Sequence, residues 1–273
     1  MPISVKAVAS TSLGTGTTKT RLTGASVKVP SWAKMLLAIA VTPPQPTTPK
    51  TQISYNAKFY IESEDLPKVM PFVALCPPLS SNIATNTNPD ATPKELYNIN
   101  CPCVGGENLD IWGEMLTGDG TTLVELGAEL YFSDGELFPQ YLDPLPGVQR
   151  HCKVGTWTAA AAAAKATGTL YTLTGAKAIV EAMSILNSFT TTVSKPSAGE
   201  FELTSGDFAG ISPLSWQSEI VTAFIGTGKP SVAKLTRIQP LNVPVRSPCN
   251  IVDTFTNWLG LATDYWITGV MYV

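Results

Sequence analysis

The chain contains a single histidine, His151, and Cys152 follows it directly. A cysteine nucleophile needs a histidine base whose side chain converges on it, and a third group that orients the base. Neighbouring residues of a strand point to opposite faces of the sheet, so this dipeptide cannot form such a pair by itself. We interpret His151 as an ordinary linker histidine, and its pairing with another cysteine or serine is the alternative.

Cys101 and Cys103, which are separated by Pro102, could supply two thiolates to a metal ion. Structural zinc needs four ligands, and the other cysteines and the histidine show no recognisable metal-ligand spacing. The odd number of cysteines and the lack of an Asn-x-Ser/Thr sequence give no sign of a secretory pathway. We predict free, mostly buried thiols, with a disulfide or a metal site as the alternatives. The cysteines are Cys76, Cys101, Cys103, Cys152 and Cys249.

Two further patterns resemble ligand sites in part. The segment GTGTTKT at 14–20 looks like a phosphate-binding loop, but Thr18 stands where such a loop has glycine before its lysine, so we interpret it as a turn. Two groups of acidic residues could bind calcium or act as paired carboxylates, but they lack the spacing of a calcium loop. We interpret them as solvated or inter-subunit surface. They are Glu62, Glu64 and Asp65, and Asp134 with Glu136.

The six tryptophans could form a sugar-stacking platform if several were exposed together. Trp112, Trp258 and Trp266 lie in strand patterns, and we interpret them as core residues. The sequence thus offers no acid, base and nucleophile in a recognisable arrangement. We predict no catalytic, cofactor-binding or metal-binding residue, no cofactor and no enzymatic activity.

The composition limits the partners of the chain. Its 273 residues are 44% hydrophobic and only 14% charged, with a net charge of −3, whereas about 25% charged residues is typical. No basic run is present, so the sequence does not favour direct, sequence-specific nucleic-acid binding. The low charge indicates a Ser/Thr/Asn-rich surface or an exterior covered by partners. The longest apolar run, MLLAIAV at 35–41, is too short to span a bilayer, and we expect synthesis in the cytoplasm.

Short apolar or alternating segments separated by turn residues predict an all-β fold. In the segment 53–63, for example, Tyr55, Ala57, Phe59 and Ile61 share one predicted face. The neighbourhood of 62–70 and the segment 205–216 could be short helices. The alanine run at 159–164 could be a helix or a thin strand, and the sequence does not decide between them.

Several landmarks recur in the same order in the two halves, which indicates an internal duplication. The spacing between the paired landmarks shortens along the chain, so the second copy has lost residues, as loops readily do. The pairs are LTGA at 22–25 and 173–176, Pro102-Cys103 and Pro248-Cys249, Asp110 and Asp253, and the closing strands at 125–132 and 266–273.

The duplication predicts two tandem antiparallel β-sandwiches of about eight strands each. We place the first at 1–136, a Pro/Gly-rich linker at 137–149, and the shorter second sandwich at 150–273. The Pro-rich segments 43–49 and 76–93 are predicted to be exposed loops or inter-subunit arms.

The repeated LTGA predicts equivalent turns at Gly24 and Gly175, where the missing Cβ lets the chain reverse between strands. Ala25 and Ala176 follow these glycines at equivalent positions. We expect these four residues to have a structural role.

With two eight-stranded halves and little charge, the chain resembles the double jelly-roll major capsid proteins of tailless icosahedral viruses. The resemblance is architectural, covers the whole chain and includes no diagnostic motif. It implies a viral coat subunit, located in the virion, that assembles as homotrimers of pseudo-hexagonal outline. The implied partners are neighbouring capsomers and other virion proteins such as a vertex protein, and an internal membrane stays open as a further partner. The alternative is a tandem β-sandwich that binds glycans or a receptor on a spike or surface appendage.

Overall fold

The computed structural model describes residues 4–9, 18–22, 27–47, 53–63, 72–81, 94–118, 123–135, 150–154, 158–160, 164–168, 171–187, 195–218, 221–223, 234–238, 241–258 and 264–273. These residues form an all-β protein in which every paired strand is antiparallel and no helix occurs. The described part of the chain therefore has no helix long and apolar enough to cross a membrane. The all-β prediction is confirmed.

The described residues of the first half form twelve strands. They are β1 Ser4–Ala9, β2 Thr20–Arg21, β3 Val27–Lys28, β4 Met35–Val41, β5 Gln45–Pro46, β6 Ile53–Glu62, β7 Phe72–Leu75, β8 Leu79–Ser81, β9 Glu95–Pro102, β10 Asn108–Thr117, β11 Val124–Glu125 and β12 Gly127–Ser133.

In the second half, the part that the structure describes contains thirteen strands. They are β13 His151–Val154, β14 Thr158–Ala160, β15 Lys165–Thr167, β16 Tyr171–Leu173, β17 Ala178–Asn187, β18 Lys195–Ser197, β19 Gly199–Thr204, β20 Leu214–Gln217, β21 Val221–Ala223, β22 Lys234–Ile238, β23 Val243–Pro244, β24 Cys249–Asn257 and β25 Asp264–Tyr272.

The strands of the first half form two larger sheets and one small one. One sheet has the order β1-β12-β4-β9, and the other has the order β2-β10-β6-β7, to which β3 and β8 add at β10 and β6. The small sheet pairs β5 with β11. The first and last strands of this half are therefore neighbours, which only long-range pairing can achieve.

The second half also forms two larger sheets. One has the order β13-β25-β17-β22, with β14 and β23 pairing to β25 and β17, and the other has the order β15-β24-β19-β20, with β16 pairing to β24. A small sheet pairs β18 with β21.

By the density of contacts the chain divides into two compact units. The first unit is Met1–Thr48, Asn56–Pro77 and Pro93–Cys152, and the second is Pro49–Tyr55, Pro78–Thr92 and Lys153–Val273. The predicted linker at 137–149 lies outside the described residues.

The alternation of the sequence places the core side chains. On β6 the predicted face of Tyr55, Ala57, Phe59 and Ile61 is completely buried, which confirms that prediction. In the second unit the core is built around a cluster of aromatic rings, in which the Phe201 ring centroid lies 4.7 Å from that of Phe255. Aromatic side chains bury large apolar areas, so such a cluster contributes strongly to the stability of a sandwich.

The structure corrects two local predictions from the sequence and partly answers a question that the sequence leaves open. Residues 205–213 form turns and bends and 214–217 form strand β20, because Gly206, Gly210 and Pro213 interrupt any helix. The alanine run contributes to strand β14, and its residues 161–163 lie outside the described part. The Pro-rich segments are less exposed than predicted, since Pro43 and Pro44 are buried and residues 45–46 and 79–81 are strands.

Candidate functional site

His151 and Cys152 begin strand β13, and alternation along this strand puts them on opposite faces. Cys152 is buried and His151 is half-buried. Burial lowers the pKa of His151, which favours the neutral imidazole. The dipeptide therefore does not form a nucleophile with its base, as the sequence predicts, but the interpretation of His151 as a linker histidine is wrong, because it is a residue of β13.

All five cysteines are free and buried, which confirms the prediction of free, buried thiols. Burial is the main cause that raises the pKa of Cys101 to about 12 and that of Cys103 to about 12. Burial also raises the pKa of Cys76 and of Cys249. A thiol with a raised pKa is a poor nucleophile and a poor metal ligand at neutral pH. Among the described residues, no group of three or more His, Cys, Asp or Glu side chains could hold a metal ion.

The most elaborate group of polar side chains lies on the outer face of the sheet formed by β2, β10 and β6. We call it the Lys19 cluster, and it consists of Lys19, Tyr60, Glu62, Trp112 and Glu114. The Lys19 ammonium lies 5.0 Å from the centroid of the Tyr60 ring and 4.8 Å from that of the Trp112 ring. It also pairs with the carboxylate of Glu62, and the Tyr60 hydroxyl donates a hydrogen bond to Glu114.

Strand register assembles the Lys19 cluster. Tyr60 of β6 stands opposite Trp112 of β10, and Lys19 directly precedes β2, which pairs with the same stretch of β10. The two rings therefore lie side by side, and the lysine reaches across both of them. The sequence pattern places Lys19 in a turn and Glu62 in a solvated acidic group. It does not reveal the cluster, because the strand register brings these residues together from distant segments.

The chemistry of the Lys19 cluster is that of binding or of structural stabilisation. Burial, together with the neighbouring Glu114 and Glu62, raises the pKa of Tyr60, so its hydroxyl remains a hydrogen-bond donor. Glu62 faces a cation and Glu114 accepts a hydrogen bond from the Tyr60 hydroxyl, while the Lys58 ammonium lies 3.9 Å from Glu114. The cluster supplies aromatic and charged contacts, and it has no side chain poised to act as a nucleophile.

The other predicted acidic residues do not form a site within the described part of the chain. Asp134 follows β12 and is half-buried, whereas Glu64, Asp65 and Glu136 lie outside the described residues. Of the segment at 14–20, residues 18–20 are described, and its lysine is the one that forms the Lys19 cluster.

The predicted turn residues can be located in the second unit. Gly175 is exposed and has a φ of +76°, in the left-handed region that favours glycine. Its N–H donates a 2.8 Å hydrogen bond to the Ser247 hydroxyl. Ala176 is buried next to it. Gly24 and Ala25 lie outside the described residues, so the turn predicted at Gly24 stays a prediction.

The tryptophans occupy three kinds of environment. Trp266 is completely buried, as predicted for a core residue. The core prediction is wrong for Trp258, which is 43% exposed because it follows the last residue of β24. The core prediction is also wrong for Trp112, which is half-buried on the outer face because its neighbour Ile111 takes the inward position of the alternation.

The comparisons with known proteins identify no family for the chain and show a weak structural similarity. No protein-family model matches the chain, and no curated protein matches it. The structure is weakly similar to the crystal structure of the PBSX exported protein XepA, with a TM-score of 0.24 and 9% sequence identity over 98% of this chain and 86% of the other.

Proposed function

We propose that the chain is a structural subunit of an icosahedral viral shell, a major capsid protein built as a double jelly roll. Its function is then its set of interfaces, and it needs no active site. The subunit assembles as trimers of pseudo-hexagonal outline, is made in the host cytoplasm and resides in the virion. Its partners are neighbouring capsomers and other virion proteins such as a vertex protein, and the proposal leaves an internal membrane open.

The observation that carries this proposal is the strand order, which recurs in the two halves. Eight strands remain in each half when the small sheets and the strands that add at the side of a larger sheet are left out. If these eight are numbered along the chain, one sheet of each half has the order first, eighth, third and sixth, and the other has the order second, seventh, fourth and fifth. Antiparallel strands in this order, divided between two sheets, are the arrangement of a jelly roll. A shared order of eight strands supports an internal duplication more strongly than scattered sequence identities do.

Local backbone details recur together with the strand order. The Cys76 N–H donates to the Ala57 carbonyl at 2.9 Å, and the Ser218 N–H donates to the Gly199 carbonyl at 2.8 Å. Each of these bonds extends the pairing of the fourth strand with the fifth by one residue. Because neither bond depends on side-chain identity, the match supports a common backbone geometry.

A β-bulge also recurs between the third and the eighth strand. The ladder of β4 with β12 skips Leu37, and the ladder of β17 with β25 skips Val180. A bulge bends its strand and is usually retained within a family. Two bulges in corresponding places therefore favour duplication over two independently formed sandwiches.

The strand pairings give an alignment of the two halves that differs from the one suggested by the repeated Leu-Thr-Gly-Ala. The Leu22 N–H donates to the Ile111 carbonyl, and the Gly168 N–H donates to the Asp253 carbonyl, both at 2.8 Å. Leu22 thus corresponds to Gly168, whereas Leu173 pairs with Cys249 further along the ladder. The duplication that we propose rests on these backbone pairings.

The exposed surface is consistent with assembly contacts. Large hydrophobic side chains exposed among the described residues include Val104 at 63%, Ile211 at 57% and Leu123 at 48%. Single exposed apolar residues are ordinary on a protein surface. In a chain with 14% charged residues they are nevertheless the first positions to test as centres of an interface.

The alternative function is a tandem β-sandwich that binds glycans or a receptor. The half-buried ring pair of Tyr60 and Trp112 favours it, because aromatic faces are stacking surfaces for sugars. Lys19 already lies over both rings, so a sugar would have to displace it. This cost makes the alternative the weaker of the two.

The mass of the purified protein in solution tests the proposal. Light scattering behind a sizing column, followed by negative-stain imaging, is expected to give closed shells or a trimer of three times the 29.0 kDa of the chain. Substitution of Val104, Leu123 or Ile211 by Asp is expected to weaken the assembly in at least one case, while Thr204→Asp, at an exposed polar residue, leaves it intact. A monomer across a wide range of concentration and salt would contradict the coat function and direct the work to glycan screening.

A further inference from the structure

Asp253 is a carboxyl group in the apolar core of the second unit. It lies on the inner face of β24, between the core residues Ile251 and Phe255, and it is 0% exposed. In the alignment of the ladders its counterpart in the first unit is Ile111, which is also 0% exposed. An apolar residue thus fills this place in one sandwich and an acid fills it in the other.

The surroundings of Asp253 offer few groups that stabilise a negative charge. The Thr268 hydroxyl on β25 donates a 2.6 Å hydrogen bond to Oδ2. Oδ1 has no hydrogen-bond partner among the described residues. Gly168 packs directly against the carboxyl, since a Cβ at this position would lie 2.3 Å from Oδ1 and 2.5 Å from the Trp266 ring.

No described cation faces the Asp253 carboxyl. On β17 Glu181 pairs with Arg237 of β22, and the register puts both on the face opposite to the core residues Ala182 and Leu186. On β15 and β19, Lys165 pairs with Glu202 on the outer face of their sheet. Among the described residues, the titratable groups that share the core with Asp253 are thiol and phenol groups. They are Cys249 on β24, Tyr171 on β16 and the partly buried Tyr272 on β25.

We propose that Asp253 is a proton switch of the second unit, which holds this carboxyl in its neutral, protonated form when folded. An ionised carboxylate in an apolar core with a single strong donor is costly. In the unfolded chain the same group is hydrated and ionises above about pH 4. Folding therefore takes up one proton at Asp253, and ionisation of this group as the pH rises weakens the packing of β24 against β25.

The sign of the effect follows from linkage. Burial is the largest influence on the pKa of Asp253 and raises it, while the Thr268 hydroxyl and the backbone N–H of Asp253 lower it less. A raised pKa in the folded state gives stability that is complete below about pH 4 and is lost as the pH rises through the folded-state pKa. The second unit is thus most stable in mild acid as far as this group is concerned.

Urea unfolding of the full chain from pH 4.5 to pH 8 tests the switch with Asp253→Asn, which has nearly the same shape but no titrating proton. In the window between the two pKa values, the unfolding constant of the wild type relative to the variant is expected to rise about tenfold for each pH unit. If the ratio of the two unfolding constants stays the same over this pH range, the proposal is overturned. Asp110→Asn, on the corresponding strand of the first unit, is the matched control and is expected to keep the wild-type pH dependence. Loss of the pH dependence in this control as well would assign the effect to surface carboxylates, against the proposal.

A second measurement needs no variant and covers the case in which Asp253→Asn does not fold. The infrared spectrum of the folded wild type at pH 7 is expected to contain the stretching band of a protonated carboxyl, and this band is expected to disappear in urea. A folded protein without such a band at pH 7 would overturn the proposal.

Discussion

Arg237 holds the buried carboxylate of Glu181 with two nitrogens: Nε donates to Oε1, and Nη2 donates to Oε2 at 2.8 Å. The side chains are 17% and 2% exposed, respectively, so the pair is largely removed from water. Adjacent strands β17 and β22 supply the two residues, and the pair fixes their relative position. A buried ion pair adds little net stability, but removal of one partner leaves a charge that is neither solvated nor paired.

We therefore expect Arg237→Met to lower the free energy of unfolding by about 3–5 kcal/mol. The double variant Glu181→Met/Arg237→Met is expected to recover most of this loss, because it removes both charges. Urea unfolding monitored by circular dichroism measures each variant. Lys94→Met is the control, since Lys94 and Glu129 form an exposed pair on the protein surface, and it is expected to change the stability far less. A double variant as unstable as Arg237→Met would contradict the explanation.

The left-handed backbone of Gly175 gives a second prediction. Gly175→Ala is expected to lose about 1–2 kcal/mol of stability, because a Cβ at a φ of +76° approaches the backbone carbonyl. Gly175→Asn is expected to lose less, since asparagine tolerates this conformation. Gly206→Ala is the matched control: no atom lies within 4 Å of its added Cβ, and its φ lies outside the left-handed range. Equal losses in Gly175→Ala and Gly206→Ala would show that the backbone angle is not the cause.

A comparison of Lys19, just before β2, with Lys165 of β15 distinguishes the stability that an ion pair contributes from the stability that aromatic contacts contribute. Lys19 pairs with Glu62 and also lies over Tyr60 and Trp112. Lys165 pairs with the Glu202 carboxylate, and among the described residues no aromatic ring contacts its ammonium. Lys19→Met is expected to cost about 1 kcal/mol and Lys165→Met less than that. Salt screens exposed ion pairs, so the excess cost of Lys19→Met is expected to persist in 1 M salt. If Lys19→Met and Lys165→Met lose the same stability, both at low salt and in 1 M salt, the aromatic rings make no contribution.

The burial of the five thiols predicts slow chemical modification of the native protein. The reactive species is the thiolate, and burial raises the pKa of Cys76, Cys101, Cys103 and Cys249. At pH 8 a disulfide reagent such as dithionitrobenzoate is expected to react with all five thiols in urea and only slowly in the native state. A thiol that reacts within the mixing time in the native protein would contradict the buried environment.

The inward face of β6 and the strand content of the chain could be predicted because alternation is a local property of the sequence. The environment of Trp112 could not, since the same alternation allows either face inward, and only the register with β6 decides between them. The Lys19 cluster and the Asp253 environment escaped prediction for the same reason. Their members are neighbours across ladders that join distant parts of the chain.

The sequence suggests the duplication that we propose, but it does not give the alignment of the two halves. The repeated Leu-Thr-Gly-Ala attracts attention because its residues are identical, yet identity at four common residue types constrains the strand pairing very little. The proposed alignment instead depends on backbone hydrogen bonds such as that from Leu22 to Ile111, which can form whatever the side chains are.

Glu202 gives a pH prediction whose sign is opposite to that of Asp253. Hydrogen bonds from Lys165 and Thr254 lower its pKa, so the folded state favours the carboxylate. The stability from this group is present above the unfolded-state pKa of about 4.3 and is lost as the pH falls through the folded-state pKa. Glu202→Gln is thus expected to be less stable than the wild type at pH 7 and to approach it in urea unfolding as the pH falls below about 4. The effect at pH 7 is expected to be at most about 1 kcal/mol, because Lys165 is 55% exposed and water screens the pair. A difference between variant and wild type that stays constant from pH 3 to pH 7 would show that Glu202 acts through packing and not through its charge.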